Sequence, residues 1–220
     1  MNEANCAIGI ALVIGLVGGP VLAHGPDVHQ DTTLAATASP EETPKTAPTA
    51  ARPGPDEETT RNYFTDLALV TQEGKQVRFY TDVLKDNVVL INTIYTNCQD
   101  ACPLLTQKLT AVVDRLQGDL FGKEVFFVSI STDPDRDSPA VLAEFAKQQK
   151  ADHPGWLFLT GEKQNVHTIL RKLGQFAPQP EAHSTLLIAG NVATRHWTKI
   201  QPTEPPVAIA MKLEELAAER

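Results

Sequence analysis

The chain is 220 residues long, 42% hydrophobic and 21% charged, with a formal net charge of −8. That length holds one ordinary domain plus accessories, the apolar share suits a packed core, and the negative charge argues against nucleic acid as a partner. The charge is unevenly placed: residues 24–60 carry seven acids against two bases, whereas residues 61–220 carry nineteen against seventeen, so the folded part is close to neutral.

Ala7 to Ala23 form an apolar run interrupted by Gly9, Gly15, Gly18, Gly19 and Pro20. Val21 and Ala23 stand at the −3 and −1 positions of a secretory cleavage pattern, so residues 1–23 are predicted to be a signal peptide or a membrane anchor. The preceding flank carries Glu3 and no Lys or Arg. An uncleaved anchor is therefore the rival reading, although the run is short for a spanning helix. Either way the chain is expected in a bacterial cell envelope, periplasmic or held on the inner membrane facing the periplasm. Residues 24–60 contain six Pro, eight Thr and six Ala and no aromatic residue. Such a segment cannot bury enough apolar area to offset its ordering entropy, and it reads as a disordered, acidic linker. The domain is expected over residues 61–220.

Asp66–Val70 and Gln76–Tyr80 flank a Thr-Gln-Glu-Gly-Lys stretch and predict a β-hairpin with Gly74 in the turn. Asn87 to Tyr95 is a near-continuous apolar, β-branched run, the pattern of a strand covered on both faces. Pro103 to Leu120 places Leu105, Leu109, Val112 and Leu116 along one helical face. Glu124–Ser131 is a second buried strand, and Ser138-Pro139 starts a helix that runs to about Lys150. Trp156–Thr160 predicts a third strand, and Glu162–Leu173 a helix stopped by Gly174. Thr185–Ala189 and Thr194–Ile200 read as a closing strand pair with Gly190-Asn191 at or near the turn. A final helix covers about Val207–Glu219. Alternating strands and helices indicate an α/β protein with a central mixed sheet flanked by helices and an N-terminal hairpin.

Three cysteines are present, and Cys6 belongs to the leader. Cys98 and Cys102 remain, in Tyr95-Thr-Asn-Cys-Gln-Asp-Ala-Cys-Pro103, where a buried strand meets a helix. Two thiols four residues apart share a helical face and lie within reach of a disulfide. The positive end of the helix favours thiolate over thiol. The pair therefore reads as a structural disulfide, a redox pair or half of a metal site. The first is disfavoured because structural disulfides more often close long loops.

The YTNCQDACP stretch after an apolar strand resembles the CxxxCP signature of the SCO/SenC family. Three further features are similar to that family: Gln72–Lys75 with Phe79–Asp82 in the lead-in, Ser131–Pro139 as an SxDPxxDxP segment, and Ala182-His183-Ser184 before a strand. The resemblance covers roughly Tyr63 to Ile200. It implies a thioredoxin-like fold that binds copper through Cys98, Cys102 and His183. It also implies a partner that donates copper and a client that receives it, an oxidase subunit or a relative. The alternative is a thiol–disulfide oxidoreductase in which Cys98 attacks and Cys102 resolves. Such chemistry needs no histidine. Two positions depart from the family pattern: Ala182 stands where an aspartate is usual, and Leu187–Gly190 lacks the Asp-Pro-Asp-Gly turn. With Ala182 in place, the sequence assigns no hydrogen-bonding partner to His183. No proline directly precedes the following strand, unlike in thioredoxin-like reductases.

Asp133, Asp135, Asp137 and Glu144 match positions 1, 3, 5 and 12 of a calcium loop. Ser138 replaces the required glycine and Pro139 follows at once, so the stretch reads instead as a strand-to-helix connection. His153, His167 and His196 have no ligating neighbours in sequence and read as structural. Trp156 and Trp197 read as core or sheet-face aromatics.

Overall fold

The computed structural model describes residues 57–219 apart from Gln99, Gln117 and Asp119. The leader and most of the linker read from the sequence lie outside the described residues.

Helix α1 spans Glu57–Phe64 and is followed by strands β1 (Ala68–Thr71) and β2 (Gln76–Arg78). Next come β3 (Val88–Ile94), α2 (Ala101–Leu116), β4 (Val125–Ser131), α3 (Pro139–Gln148), β5 (Trp156–Thr160) and α4 (Lys163–Lys172). Strands β6 (Leu187–Asn191) and β7 (His196–Ile200) and helix α5 (Pro206–Ala218) complete the chain. The seven strands form one sheet in the order β2-β1-β5-β4-β3-β6-β7. Strand β4 runs parallel to β3 and β5, and the remaining pairs are antiparallel, which makes the sheet mixed.

All seven residues of β3 are buried because both faces of this strand are covered. Val88 and Leu90 pack with α2, α3 and α5, while Val89 and Ile91 pack with α4 and Phe64 of α1. The β-branched run thus enters the middle of a three-layer core. Helix α3 starts as its sequence predicts: the Ser138 hydroxyl accepts from the Val141 N–H at 3.4 Å, and Pro139 occupies the first turn.

Three local expectations need correction. Residues 57–60, read as linker, belong to α1, whose Phe64 is buried and packs on Trp197 with ring centroids 4.8 Å apart. The second hairpin strand stops at Arg78, and Phe79–Leu84 winds into a π-turn. Two carboxylates hold it: Asp82 accepts from the Arg78 N–H at 2.7 Å, and Asp66, from before β1, accepts from the Thr81 N–H and hydroxyl at 2.8 and 2.7 Å. The turn between β6 and β7 is Val192–Arg195, not Gly190-Asn191. Gly190 lies within β6, opposite Trp197, where a Cβ would come within 2.3 Å of the indole ring. Its lack of a side chain serves packing rather than turning.

Candidate metal and redox centre

After Ile94 the chain leaves the sheet through Tyr95-Thr96-Asn97-Cys98 and enters α2 at Ala101. A buried carboxylate fixes this exit. Asp137, 1% exposed, accepts from the Ser131 hydroxyl at 2.6 Å, the Thr96 hydroxyl at 2.6 Å and the Thr96 N–H at 3.3 Å. Asp137 therefore ties the end of β4 to the loop that carries Cys98.

Cys98 precedes the helix, so the two thiols do not share a helical face as their spacing predicts. Instead the Cys102 N–H donates to Cys98 Sγ at 3.4 Å, and the sulfur caps a free backbone donor at the helix start. Both thiols are free. Their acidities diverge. Partial burial pushes the Cys98 thiol up, but the N–H groups of Cys102 and Asp100, the Cys102 thiol and the Tyr95 hydroxyl outweigh it and hold Cys98 below the ordinary range. Cys102 is 2% exposed, and burial pushes its thiol up to about 12. Tyr95 is likewise raised to about 12 by burial and by its hydrogen bond to Cys98.

A short 3₁₀ turn, Pro180–Ala182, delivers His183 to the same place, and the His183 N–H closes it on the Pro180 carbonyl at 3.2 Å. His183 Nε2 lies 3.5 Å from Cys102 Sγ. On the other side of the ring, Nδ1 is 2.9 Å from Thr93 Oγ1 and 3.1 Å from the Ser184 carbonyl. The Thr93 hydroxyl gives its own proton to that carbonyl at 2.8 Å, so it can only accept from the ring. This network assigns the proton to Nδ1 and leaves the Nε2 lone pair facing the sulfur. Burial lowers the His183 pKa, partly opposed by the Ser184 carbonyl, which favours the neutral ring. Tyr95 stands edge-on to the imidazole, with centroids 5.6 Å apart and an interplanar angle of 86°.

The three sequence-predicted residues are thus joined pairwise through Cys102, which touches both others. Among the described residues no three thiol, imidazole or carboxylate groups already converge on one point. Two sulfurs and a neutral imidazole nitrogen are a soft donor set, matched to soft or borderline ions rather than to calcium or magnesium. The calcium-loop carboxylates diverge instead: Asp133 pairs with Arg136, Asp135 with Lys163, and Asp137 is spent on hydroxyls. His153 and His167 stand edge-on to Phe121 and Phe176, and His196 pairs with Glu219 at 2.6 Å.

The SCO1/SenC family model matches residues 55–218. The chain belongs to the SCO1/SenC family. A SCO2-like protein of Rickettsia felis is 35% identical over 111 residues, covering 50% of this chain and 51% of that protein. The chain spans about half the length of the curated relatives it matches. Among solved structures, BsSco, described as a member of the Sco family of cytochrome c oxidase assembly proteins with a disulfide switch, superposes with a TM-score of 0.60 at 24% identity. It covers 71% of this chain and 94% of BsSco. Copper-bound yeast Sco1 superposes with a TM-score of 0.59 at 23% identity, covering 70% of this chain and 87% of that one. These likenesses show the fold, the thioredoxin-like α/β architecture that the sequence implied.

Sequence reasoning missed Thr93, Thr96 and Asp137 as supports of the site. Thr93 carries no signal, being one β-branched residue in an apolar strand. Asp137 carried one, the Ser131–Pro139 segment, which reads as a family motif and a strand-to-helix connection without pointing to the contact of Asp137 with Thr96.

Proposed function

We propose that this SCO1/SenC protein binds copper(I) through Cys98, Cys102 and His183 and hands it to a respiratory oxidase or related client in the cell envelope. The observation that carries this reading is the 3.5 Å approach of His183 Nε2 to Cys102 Sγ with the ring proton held on the far side by Thr93. An imidazole so oriented presents a lone pair to the sulfurs, and copper(I) prefers thiolates with imidazole as a third ligand. Cys98, the more exposed and more acidic thiol, is suited to be the first ligand gained and the first released. Residues 1–23 would export or anchor the chain, and residues 24–60 would tether the domain away from the membrane.

Metal analysis of the reduced chain tests the reading. About one copper per chain is expected, with strong weakening in Cys98→Ser, Cys102→Ser and His183→Ala. Copper retained unchanged by His183→Ala overturns the assignment.

A second reading rests on the opposed acidities of the two cysteines. The Cys98 thiolate attacks a client disulfide, forming one sulfur–sulfur bond and expelling a client thiolate, which takes up a proton. Cys102, giving up its proton, then attacks Cys98 Sγ and releases the second client thiol. The client is reduced by two electrons and the chain is left with a Cys98–Cys102 disulfide. This exchange needs no histidine, so His183→Ala separates the two readings: reduction survives it and copper binding does not.

A further inference from the structure

The most exposed large apolar side chain among the described residues is Leu104, at 67%. It sits two residues after Cys102, in the first turn of α2. Beside it lies an open hollow of about 210 Å³ lined by Ala101, Leu104, Leu105, Lys108, Thr185 and Pro202. The hollow bridges the two segments that carry the site: Ala101 adjoins Cys102, and Thr185 follows His183-Ser184. Its single cation is turned away, since the Lys108 ammonium donates to the Pro202 carbonyl and, at 3.2 Å, to that of Glu204.

Two exposed carboxylates lie in the same two chain segments. Asp100 immediately precedes Ala101, and its N–H is among the donors to Cys98. Glu181 lies in the turn before His183, close enough to act on the Tyr95 hydroxyl. Neither takes part in an ion pair among the described residues. An apolar centre bordered by polar and charged groups is the anatomy of a protein-docking patch.

We infer that the hollow beside Leu104 is where the copper-accepting protein docks, inserting an apolar side chain into it and meeting Asp100 and Glu181 with basic residues. The inference rests on the copper-delivery reading above and names the surface that reading requires. Transfer by ligand exchange brings an acceptor's ligands within bonding distance of Cys98, so the surface around that sulfur is covered during transfer. Leu104 and the hollow are the apolar part of that surface, and the two carboxylates select the partner's charge and speed encounter.

Stopped-flow transfer from the copper-loaded chain tests the surface. One acceptor is the soluble domain of an oxidase subunit carrying copper-binding cysteines; the other is the small chelator bathocuproine disulfonate, which needs no docking. Leu104→Asp is expected to slow transfer to the protein domain about tenfold while leaving removal by the chelator unchanged. An aspartate in the first turn of a helix does not disturb folding. Asp100→Lys with Glu181→Lys is expected to slow transfer to the domain and flatten its salt dependence. Wild-type rates to the domain in both variants overturn the docking face and leave the copper reading standing. A wild-type chain that takes up copper but never passes it to the domain overturns both.

Discussion

Thr93 Oγ1 lies 2.9 Å from His183 Nδ1, across ninety residues of chain. Thr93 belongs to β3, whose every residue is buried, and is itself 1% exposed, so its hydroxyl is set by the packed interior of the sheet. The imidazole, by contrast, comes from an irregular segment between a 3₁₀ turn and β6. Ala182 stands directly before His183, so the adjacent position offers no carboxylate to orient the ring. The strand hydroxyl orients it instead, fixing the tautomer and aiming Nε2 at Cys102.

Thr93→Val keeps the strand's β-branched shape and removes the acceptor. The ring then keeps only the longer, 3.1 Å approach of Nδ1 to the Ser184 carbonyl, and its orientation and tautomer are held less firmly. Copper(I) affinity is expected to fall about tenfold or more, measured by competition with a chelator. The nitrogen chemical shifts of His183 should report a mixture of tautomers in the copper-free protein. Unchanged affinity together with an unchanged tautomer signature shows that Thr93 does not orient the ring.

The two thiols should behave as chemically different groups. Hydrogen bonds hold Cys98 below the ordinary thiol range, while burial takes Cys102 to about 12. Iodoacetamide at pH 7–8 is therefore expected to modify Cys98 alone, with a rate profile whose midpoint lies below that of a free cysteine, about 8.5. Mass spectrometry of the alkylated, reduced chain reads the site directly. Equal labelling of both thiols removes the basis for treating Cys98 as the attacking or first-releasing sulfur.

Much of this arrangement is legible from the residues, and the failures have physical causes. The β-branched run of β3, the Ser138-Pro139 helix start and a cysteine pair where a strand gives way to a helix are local signals, and the structure realises each of them. The relation between the cysteines is not local: the loop that sets Cys98 before the helix is held at Thr96 by Asp137, forty-one residues on in the connection between β4 and α3. Gly190 reads as a turn residue because glycine so often is one, yet its role depends on a tryptophan seven positions later in the adjacent strand. The π-turn over Phe79–Leu84 likewise answers to Asp66, fifteen residues away from Thr81. Periodicity finds the elements; hydrogen bonds between distant segments shape the site.

Acidification is expected to weaken the copper-free fold through His183. Burial lowers its folded pKa below the ordinary histidine value, so the folded chain favours the neutral ring while the unfolded chain protonates first. The stabilisation is fully present above the ordinary value and is lost as pH falls toward the depressed folded pKa. Urea unfolding between about pH 7.5 and 5.5 should show a steeper loss in the wild type than in His183→Gln. Parallel pH profiles for the two proteins contradict the buried, neutral imidazole.

Asp137 offers the sharpest test of how the loop is held. Its carboxylate is buried and accepts from two hydroxyls and one backbone N–H. In Asp137→Asn the amide nitrogen faces at least one of those donors, so a buried hydrogen bond is replaced by a repulsive contact. A loss of about 1–3 kcal/mol in unfolding free energy is expected. The damage should concentrate where Thr96 leads into Cys98, so the Cys102 N–H loses its alignment on the sulfur and Cys98 becomes less acidic. The midpoint of its alkylation profile should then move upward, a shift that generalised destabilisation does not produce while the chain remains folded. A variant that loses stability but leaves that midpoint in place makes Asp137 a structural clamp with no hold on the thiol.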